Sequence, residues 1–223
     1  MLCELGGFFT STDKPGAMEM LTFYYNPLTC SLGVQIALLE TGIPHDRVMV
    51  NLMGDRSGYQ KINPSGTVPA LDTEAGVLTE STAILAWLAL TYPQARLLPE
   101  EAYGFAHGLS LLAWLSSTVH IARRQTKFPA RFTTDAAGYV NVQQAGAPQF
   151  MSHLQRIDQM LARQRFMMGD LPNACDYQLM AYANWCAIDG IPTGSLPNFE
   201  LWRQRMLERP AIQQALLTID SPL

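Results

Sequence analysis

The hydrophobic pattern in the first half of the chain switches between strand-like and helical spacing. Residues 21–25 (LTFYY) form a short β-rich run, and apolar residues then recur at helical spacing until Gly42. Residues 46–52 (DRVMVNL) predict a second strand. A strand, a helix and a strand joined in this order favour a parallel pair of strands with a right-handed crossover.

The following segment predicts a hairpin and a further helix. The polar stretch at 53–62 leads into strand-like runs at 68–72 and 77–79, which are close enough to pair through a turn at 74–76. Apolar residues at 81–92 return to helical spacing. The beginning of the chain therefore predicts the order βαβ followed by ββα.

The second half of the chain is helical in its hydrophobic period. Two prolines mark residues 93–101 as a linker, and residues 134–148 (TDAAGYVNVQQAGAP) predict a loop between two helices. The predicted helices lie at about 102–126, 147–166, 174–188, 199–208 and 210–219. This pattern predicts an α/β domain followed by an all-α domain.

Composition narrows the class of protein. Apolar residues make up 48% of the chain and charged residues 15%, which is typical of a globular protein, and the net charge of −4 argues against a nucleic-acid partner. The longest strongly apolar run, at 83–90, is too short to cross a bilayer. Residues 1–19 lack the pattern of a signal peptide and are interpreted as an N-terminal extension. We therefore expect a cytoplasmic protein without a membrane partner.

The spacing of the cysteines favours neither a disulfide framework nor a metal site. The four cysteines are Cys3, Cys30, Cys175 and Cys186, and no two of them have C-x-x-C spacing. The last two fall in one predicted helix with an axial separation of about 16 Å, too far apart for a bridge. The four histidines show no ligand spacing, so we expect no metal.

Cys30 stands at the turn between the first predicted strand and the helix that follows. Free backbone N–H groups and the positive end of the helix dipole favour a thiolate at such a position. An effect of up to ~2 kcal/mol would lower the thiol pKa from about 8.5 to about 7–8. The alternative is a small buried apolar residue. With no second cysteine nearby, a reactive Cys30 would depend on an external thiol.

Four motifs in the same order as these elements resemble one protein family. They are YYNPLTCSLGVQIALLETG, INPSGTVPAL, LTESTAILAWLA and STVH. Together they resemble the cytosolic glutathione transferases, and within them the bacterial beta class, which has a cysteine where other classes have tyrosine or serine. The resemblance covers residues 20–218. It implies a thioredoxin-like domain at 20–92, a linker at 93–101 and an all-helical domain at 102–223.

The resemblance also implies roles near the sulfur atom. Cys30 would be catalytic, and His120, the last residue of STVH, would approach the same sulfur for hydrogen bonding or proton transfer. Judged without the resemblance, His120 is an ordinary packing or surface residue.

Glutathione, as co-substrate, would be bound by residues from several segments. A cis bond between Val68 and Pro69 would turn the Val68 backbone toward the cysteinyl part of glutathione, and Glu80 with Ser81 would hold the γ-glutamyl group at a helix start. The alternative for the last pair is a plain helix cap. The full set is Tyr25, Val68, Pro69, Glu80, Ser81 and Ser117, and for Tyr25 packing is an equal alternative.

Three positions depart from the family pattern. The family's second domain commonly supplies an asparagine and a glutamate toward glutathione in the neighbouring subunit of a homodimer, and the matching positions here hold Ala113 and Thr118. The lysine expected after the second strand is missing, and Arg56 is the nearest basic residue. These departures predict weaker binding of glutathione or a different preferred thiol.

Other features of the second half have a structural interpretation. Asn173 and Asp176 have the spacing of a helix cap, and the segment RRQTK (123–127) places cations near a helix end, where they complement the dipole. Three apolar residues either line a cleft for an apolar co-substrate or belong to the core. They are Phe128, Phe132 and Met167.

Three functions remain open at this stage. The leading one is a transferase that conjugates glutathione to small electrophiles. The first alternative is a glutathione-dependent thiol–disulfide reductase or peroxidase, in which Cys30 attacks a disulfide or peroxide. The second alternative is a transferase-like protein that binds ligands without catalysis, because a fold does not fix function.

Overall fold

The computed structural model describes residues 20–218 and contains one four-stranded mixed sheet. Its strands are β1 (Leu21–Tyr25), β2 (His45–Met49), β3 (Ala70–Thr73) and β4 (Gly76–Thr79), in the spatial order β2-β1-β3-β4. β1 pairs with β2 in parallel, and β3 pairs antiparallel with both β1 and β4. The predicted parallel pair and hairpin are confirmed: β1 has its predicted bounds, and those of the other strands differ by at most three residues.

Helices make up most of the remaining structure. Those of the α/β part are α1 (Ser31–Thr41), the short α2 (Ser57–Gln60) and α3 (Ser81–Thr91). The others are α4 (Ala102–Trp114), α5 (His120–Lys127), α6 (Tyr139–Leu161), α7 (Ala174–Asp189), α8 (Pro197–Leu207) and α9 (Pro210–Leu217). A thioredoxin-like domain followed by a helical region is the predicted fold class, and it is confirmed.

Side chains along β1 point alternately to the two faces of the sheet. Leu21 and Phe23 are fully buried and belong to the same core cluster as the inner faces of α1 and α3. Tyr24 points to the other face, where its ring contacts Tyr59 of α2. Gly42 ends α1 in the left-handed conformation, with φ of 69°, as the sequence predicts.

The longest fully buried stretch among residues 20–218 lies in α7. Every residue of α7 from Ala174 to Cys186 is buried, because α1, α4 and α8 pack around it. Gly33 makes the contact with α1 unusually close, since a Cβ at this position would lie 2.6 Å from the Cα of Gln178. The α/β part and the helical part therefore share one core.

The predicted loop at 134–148 is wrong over most of its length. Helix α6 begins at Tyr139 and continues through Pro148. Gly146 is a packing residue here, because a Cβ there would meet the Ala122 carbonyl of α5 at 2.9 Å. Packing of Gly146 and the buried Phe150 outweighs the one backbone hydrogen bond that a proline removes.

Other predicted helices also differ from the structure. The helix predicted at 102–126 is interrupted by a π-helical segment at Leu115–Val119, and α6 ends at Leu161 rather than at 166. The predicted extension at 1–19 and the last residue of the helix predicted at 210–219 lie outside the described residues. Across residues 20–218, no helix is both long enough and apolar enough to cross a membrane.

The predicted cap of α7 is confirmed and is part of a larger buried network. The Asn173 side chain accepts from the backbone N–H of Cys175, and the Asp176 carboxylate accepts from the backbone N–H of Asn173. The same carboxylate accepts from Met167 N–H at 2.9 Å and from Trp202 Nε1 at 2.7 Å. Asp176 thus joins the start of α7 to the preceding loop and to α8.

We expect Asp176→Ala to destabilise the protein by at least about 3 kcal/mol, because it leaves three buried donors without an acceptor. Urea unfolding followed by circular dichroism and by tryptophan fluorescence measures the loss. Asp135→Ala is the matched control: this exposed carboxylate accepts from one exposed N–H, and its loss should cost about 1 kcal/mol or less. Equal losses in the two variants would contradict the assigned role of Asp176.

Candidate active site

Cys30 occupies the position before the first residue of α1 and faces the loop that precedes β3. Its side chain is half-buried, and Sγ lies 3.5 Å from the carbonyl oxygen of Val68, to which the thiol donates. The bond between Val68 and Pro69 is cis, as the family resemblance implies. The sulfur is therefore not sealed in the interior but lies beside the Val68 backbone.

The start of α3 forms a second side of this site. Ser81, the first residue of α3, is buried, and its hydroxyl hydrogen-bonds to the sulfur of Cys30. Glu80 is exposed, and its backbone adopts a positive φ of 67°, which is rare outside glycine. Its charge is close enough to act on the Cys30 thiol. The first N–H groups of α3 have no partner within the helix and remain available to an anion.

The expected lowering of the Cys30 pKa is wrong. Burial raises the pKa of the thiol, and this effect outweighs the hydrogen bond from Ser81 and the backbone at the start of α1, both of which lower it. The charge of Glu80 also raises the pKa, while that of Arg124 lowers it. At this thiol the effect of desolvation is larger than that of the helix dipole, and the raised pKa favours the protonated form.

Helix α7 holds the turn that carries Cys30. Trp185 Nε1 donates to the carbonyl oxygen of Leu28 at 2.8 Å, and Gln178 Nε2 lies 3.5 Å from the carbonyl oxygen of Cys30. Leu28 itself has a positive φ of 65°, which places its carbonyl toward α7. Two side chains of the helical region thereby fix the position of the sulfur.

His120 lies on the helical side of the site and makes ring contacts there. Its imidazole packs on Trp185, with ring centroids 4.7 Å apart, and meets the edge of Tyr182 at 6.4 Å. Tyr182 is in turn close enough to Cys30 that ionisation of the thiol would raise the pKa of the phenol. Burial and the neighbouring arginines lower the pKa of His120 to about 4. The imidazole is therefore neutral at pH 7, and within the described part of the chain no hydrogen bond joins it to Cys30.

Two of the predicted glutathione-binding residues make other contacts. Tyr25 stacks on Phe23, with ring centroids 5.7 Å apart, which is the packing role left open for it. Ser117 is exposed and donates its hydroxyl back to the carbonyl of Ala113 at 2.7 Å. The structure thus brings Cys30 together with the other four predicted positions. These are Val68, Pro69, Glu80 and Ser81.

Several residues of the site were missed by sequence reasoning. The cations of 123–127 do more than complement a dipole: Arg123 pairs with Asp189 at 2.8 Å and covers the ring of Trp185 at 4.2 Å, while Arg124 acts on Cys30. Gln178, Tyr182 and Trp185 lie in an apolar helical pattern that predicts only core. No signal in the sequence separates these residues from their buried neighbours.

The remaining candidates differ in their burial. Met167 is fully buried core, while Phe128 and Phe132 are exposed. Cys175 and Cys186 are buried free thiols in α7. Among residues 20–218, no group of three or more histidine, cysteine or acidic side chains is placed to hold a metal ion.

Comparison with known proteins matches this architecture to one family. Residues 29–91 match the model of the glutathione S-transferase N-terminal domain. The structure of a sphingomonad glutathione S-transferase complexed with glutathione is 31% identical, with a TM-score of 0.79, and the match covers 89% of this chain and 98% of that one.

Relatives with curated names span nearly the whole chain. The glutathione S-transferase GstA of Escherichia coli O157:H7 is 28% identical over 88% of this chain and 97% of its own length. A maleylacetoacetate isomerase of Pseudomonas aeruginosa is 25% identical over 89% and 95%. Three findings agree: the order of the strands, the cis-proline beside Cys30, and a match of 31% identity over 89% of the chain. We conclude that the chain belongs to the glutathione S-transferase family.

Proposed function

We propose that the protein conjugates glutathione to small electrophiles and that Cys30 is the residue of the beta-class-like site that contacts the reacting sulfur. The observation that supports this most is the position of the Cys30 thiol, 3.5 Å from the Val68 carbonyl and hydrogen-bonded to Ser81. A peptide-like thiol lying along the Val68 backbone would bring its own sulfur to the same place.

In this proposal Cys30 acts as a hydrogen-bond donor and glutathione supplies the nucleophile. Because Cys30 stays protonated, its S–H can turn from the Val68 carbonyl to the glutathione sulfur and stabilise that sulfur as a thiolate. The thiolate attacks the electrophilic carbon, and the leaving group departs with the bonding electron pair. Cys30 forms no covalent bond in this reaction.

The other predicted residues bind the rest of glutathione. The first N–H groups of α3 suit the γ-glutamyl carboxylate, and the exposed Glu80 suits its ammonium group, while the Ser81 hydroxyl donates to Cys30. His120 is too weak a base at neutral pH for proton transfer, because its pKa is about 4. We assign it to positioning, through its contact with Trp185.

A monothiol redox reaction is the second candidate. Both described cysteines other than Cys30 are buried within α7, and Cys175 contacts Gly108 and Met168 instead of the site. The Cys30 thiolate would attack the glutathione sulfur of a glutathionylated substrate, giving a mixed disulfide and the free substrate thiolate. A second glutathione would then release Cys30 as the thiolate while forming oxidised glutathione. The raised pKa of Cys30 slows the first step.

We also propose a homodimer. Apolar side chains are exposed on β4, α3 and α4: Val77, Leu90 at 69% and Tyr103 at 81%. Sedimentation equilibrium should give a mass of twice 24.7 kDa, and Leu90→Glu should shift it toward the monomer, because a charge would be buried in the interface. Leu217→Glu, on the equally exposed C-terminal helix, is the control. A wild-type monomer at micromolar concentration would contradict the proposal.

Substitutions at Cys30 separate the two chemistries. We expect Cys30→Ala to reduce kcat/KM for glutathione and 1-chloro-2,4-dinitrobenzene by about 10- to 100-fold, because a hydrogen bond to a charged group is lost. Cys30→Ser keeps a donor and should retain most of the activity. Wild-type activity in Cys30→Ala would remove Cys30 from the mechanism.

The intact mass of the protein after incubation with oxidised glutathione tests the redox candidate, which requires a mixed disulfide at Cys30.

The ionisation of Cys30 gives an independent test of the donor role. Alkylation by iodoacetamide, followed by mass spectrometry of the Cys30 peptide, should keep rising with pH beyond about 8.5, the ordinary thiol pKa. Ser81→Ala should raise the pKa further, because it removes a bond that favours the thiolate. Thr82→Val is the control, since that hydroxyl contacts Ser116 at 3.4 Å. A rate already at its plateau at pH 7 would show a thiolate.

A further inference from the structure

A buried asparagine holds the loop that leads into Val68. Asn63 is only 3% exposed, although asparagine is mostly a surface residue. Its Oδ1 accepts from the backbone N–H and the hydroxyl of Ser65, at 3.2 and 2.9 Å, and its Nδ2 donates to the Thr67 carbonyl at 2.8 Å. An amide is costly to bury unless its polar atoms are bonded, and here the loop bonds both ends of the side chain.

The sequence favours this loop locally. Residues 63–66 (NPSG) form a β-turn, in which the N–H of Gly66 donates to the carbonyl of Asn63 at 2.8 Å. Asparagine in the first place, proline in the second and glycine in the fourth are preferred in the commonest type of β-turn. Gly66 has a positive φ of 63°, which glycine adopts without strain. The turn brings the Asn63 side chain within reach of the Thr67 carbonyl.

The Thr67 carbonyl has a second donor, which comes from α2. The Tyr59 hydroxyl donates to it at 2.6 Å, and the ring of Tyr59 packs against strand β1. Arg56, directly before α2, donates to the preceding carbonyl, that of Gly66, at 3.0 Å. Side chains of the segment between β2 and β3 therefore hold two successive peptide groups that lead into Val68.

A fixed Thr67 carbonyl determines where the Val68 N–H points. The peptide bond between these residues is trans, so the C=O and the N–H lie in one plane and point in opposite directions. Since two donors hold the oxygen, the N–H points away from them. Within residues 20–218 this N–H makes no hydrogen bond, although Val68 is only 8% exposed. Val68 thus offers a free donor as well as the carbonyl that faces Cys30 Sγ at 3.5 Å.

We propose that Asn63 and Tyr59 are positioning residues, which hold the Val68 peptide in the orientation that binds the cysteinyl part of glutathione. This inference rests on the proposed binding of glutathione along the Val68 backbone. The two side chains act through the loop and form no bond with the reacting atoms. A ligand binds only the fraction of the protein in which the Val68 N–H is correctly directed, so the apparent affinity falls with that fraction.

Two substitutions remove the donors one at a time. Asn63→Asp keeps an acceptor for Ser65 but loses the N–H that donates to Thr67, and Tyr59→Phe loses only the hydroxyl. We expect each change to weaken the binding of S-methylglutathione about three- to tenfold, the effect of one hydrogen bond. Calorimetry measures this affinity, and the analogue has no free thiol, so the result does not depend on catalysis.

Steady-state kinetics distinguish positioning from general damage to the site. In both variants KM for glutathione should rise by a similar factor. The kcat at saturating glutathione and KM for 1-chloro-2,4-dinitrobenzene should stay within about twofold of the wild type, because Cys30 and Ser81 are unchanged. A loss confined to kcat, or an equal increase in both KM values, would show damage to the whole site and would overturn the inference.

Thr73→Val is the matched control. The Thr73 hydroxyl donates to the Gly76 carbonyl at 2.8 Å in the turn between β3 and β4, so this variant also loses one hydrogen bond from a side chain to the backbone of the same sheet region. Urea unfolding compares the stability of the variants. Thr73→Val should bind S-methylglutathione as the wild type does. Equal weakening in this control would show an effect of stability and would overturn the inference.

Further outcomes separate this inference from the proposed function. If the wild type binds S-methylglutathione but conjugates nothing, the proposed reaction fails and calorimetry still decides: weaker binding in the two variants supports the inference, and unchanged binding overturns it. Unchanged binding with intact conjugation overturns the inference alone. A wild type that does not bind S-methylglutathione overturns the inference together with the proposed binding of glutathione. If Asn63→Asp does not fold, Tyr59→Phe decides by the same outcomes.

Discussion

The contact between α1 and the buried helix α7 is the constraint on which the site depends. Gly33 allows the two helices to approach until backbone meets backbone, and this proximity lets Trp185 and Gln178 reach the carbonyl groups of the turn before α1. A larger residue at Gly33 would separate the helices and loosen both hydrogen bonds. The same close packing that forms the core therefore fixes the sulfur of Cys30.

Burial determines the chemistry of the thiol at this position. A helix N-terminus contributes at most about 2 kcal/mol to the stability of a thiolate, and loss of water around the sulfur opposes it. The turn is held tightly against α7 and the start of α3, so the second effect is larger in this protein. The same surroundings keep His120 neutral. This is the basis of the proposed mechanism, in which the site supplies neutral donors and the sulfur of glutathione is the nucleophile.

Neighbouring cations on α5 have different roles. Arg123 and Arg124 are adjacent in sequence, yet Arg123 contacts Asp189 and Trp185, while the charge of Arg124 lowers the pKa of Cys30. The first cation forms an ion pair between α5 and α7, and the second acts electrostatically on the thiol.

Sequence alone was sufficient for the elements whose signals are local. The βαβ and ββα order, the cap at Asn173 and Asp176, the stop at Gly42 and the cis bond before Pro69 follow from hydrophobic period, cap spacing and a family motif. Tertiary structure alone decided the rest. Helix α6 passes through Pro148 because Gly146 packs on α5, and the Cys30 pKa rises because distant segments exclude water. Such effects depend on which segments contact each other in the folded protein, and the pattern of residues along the sequence does not specify these contacts.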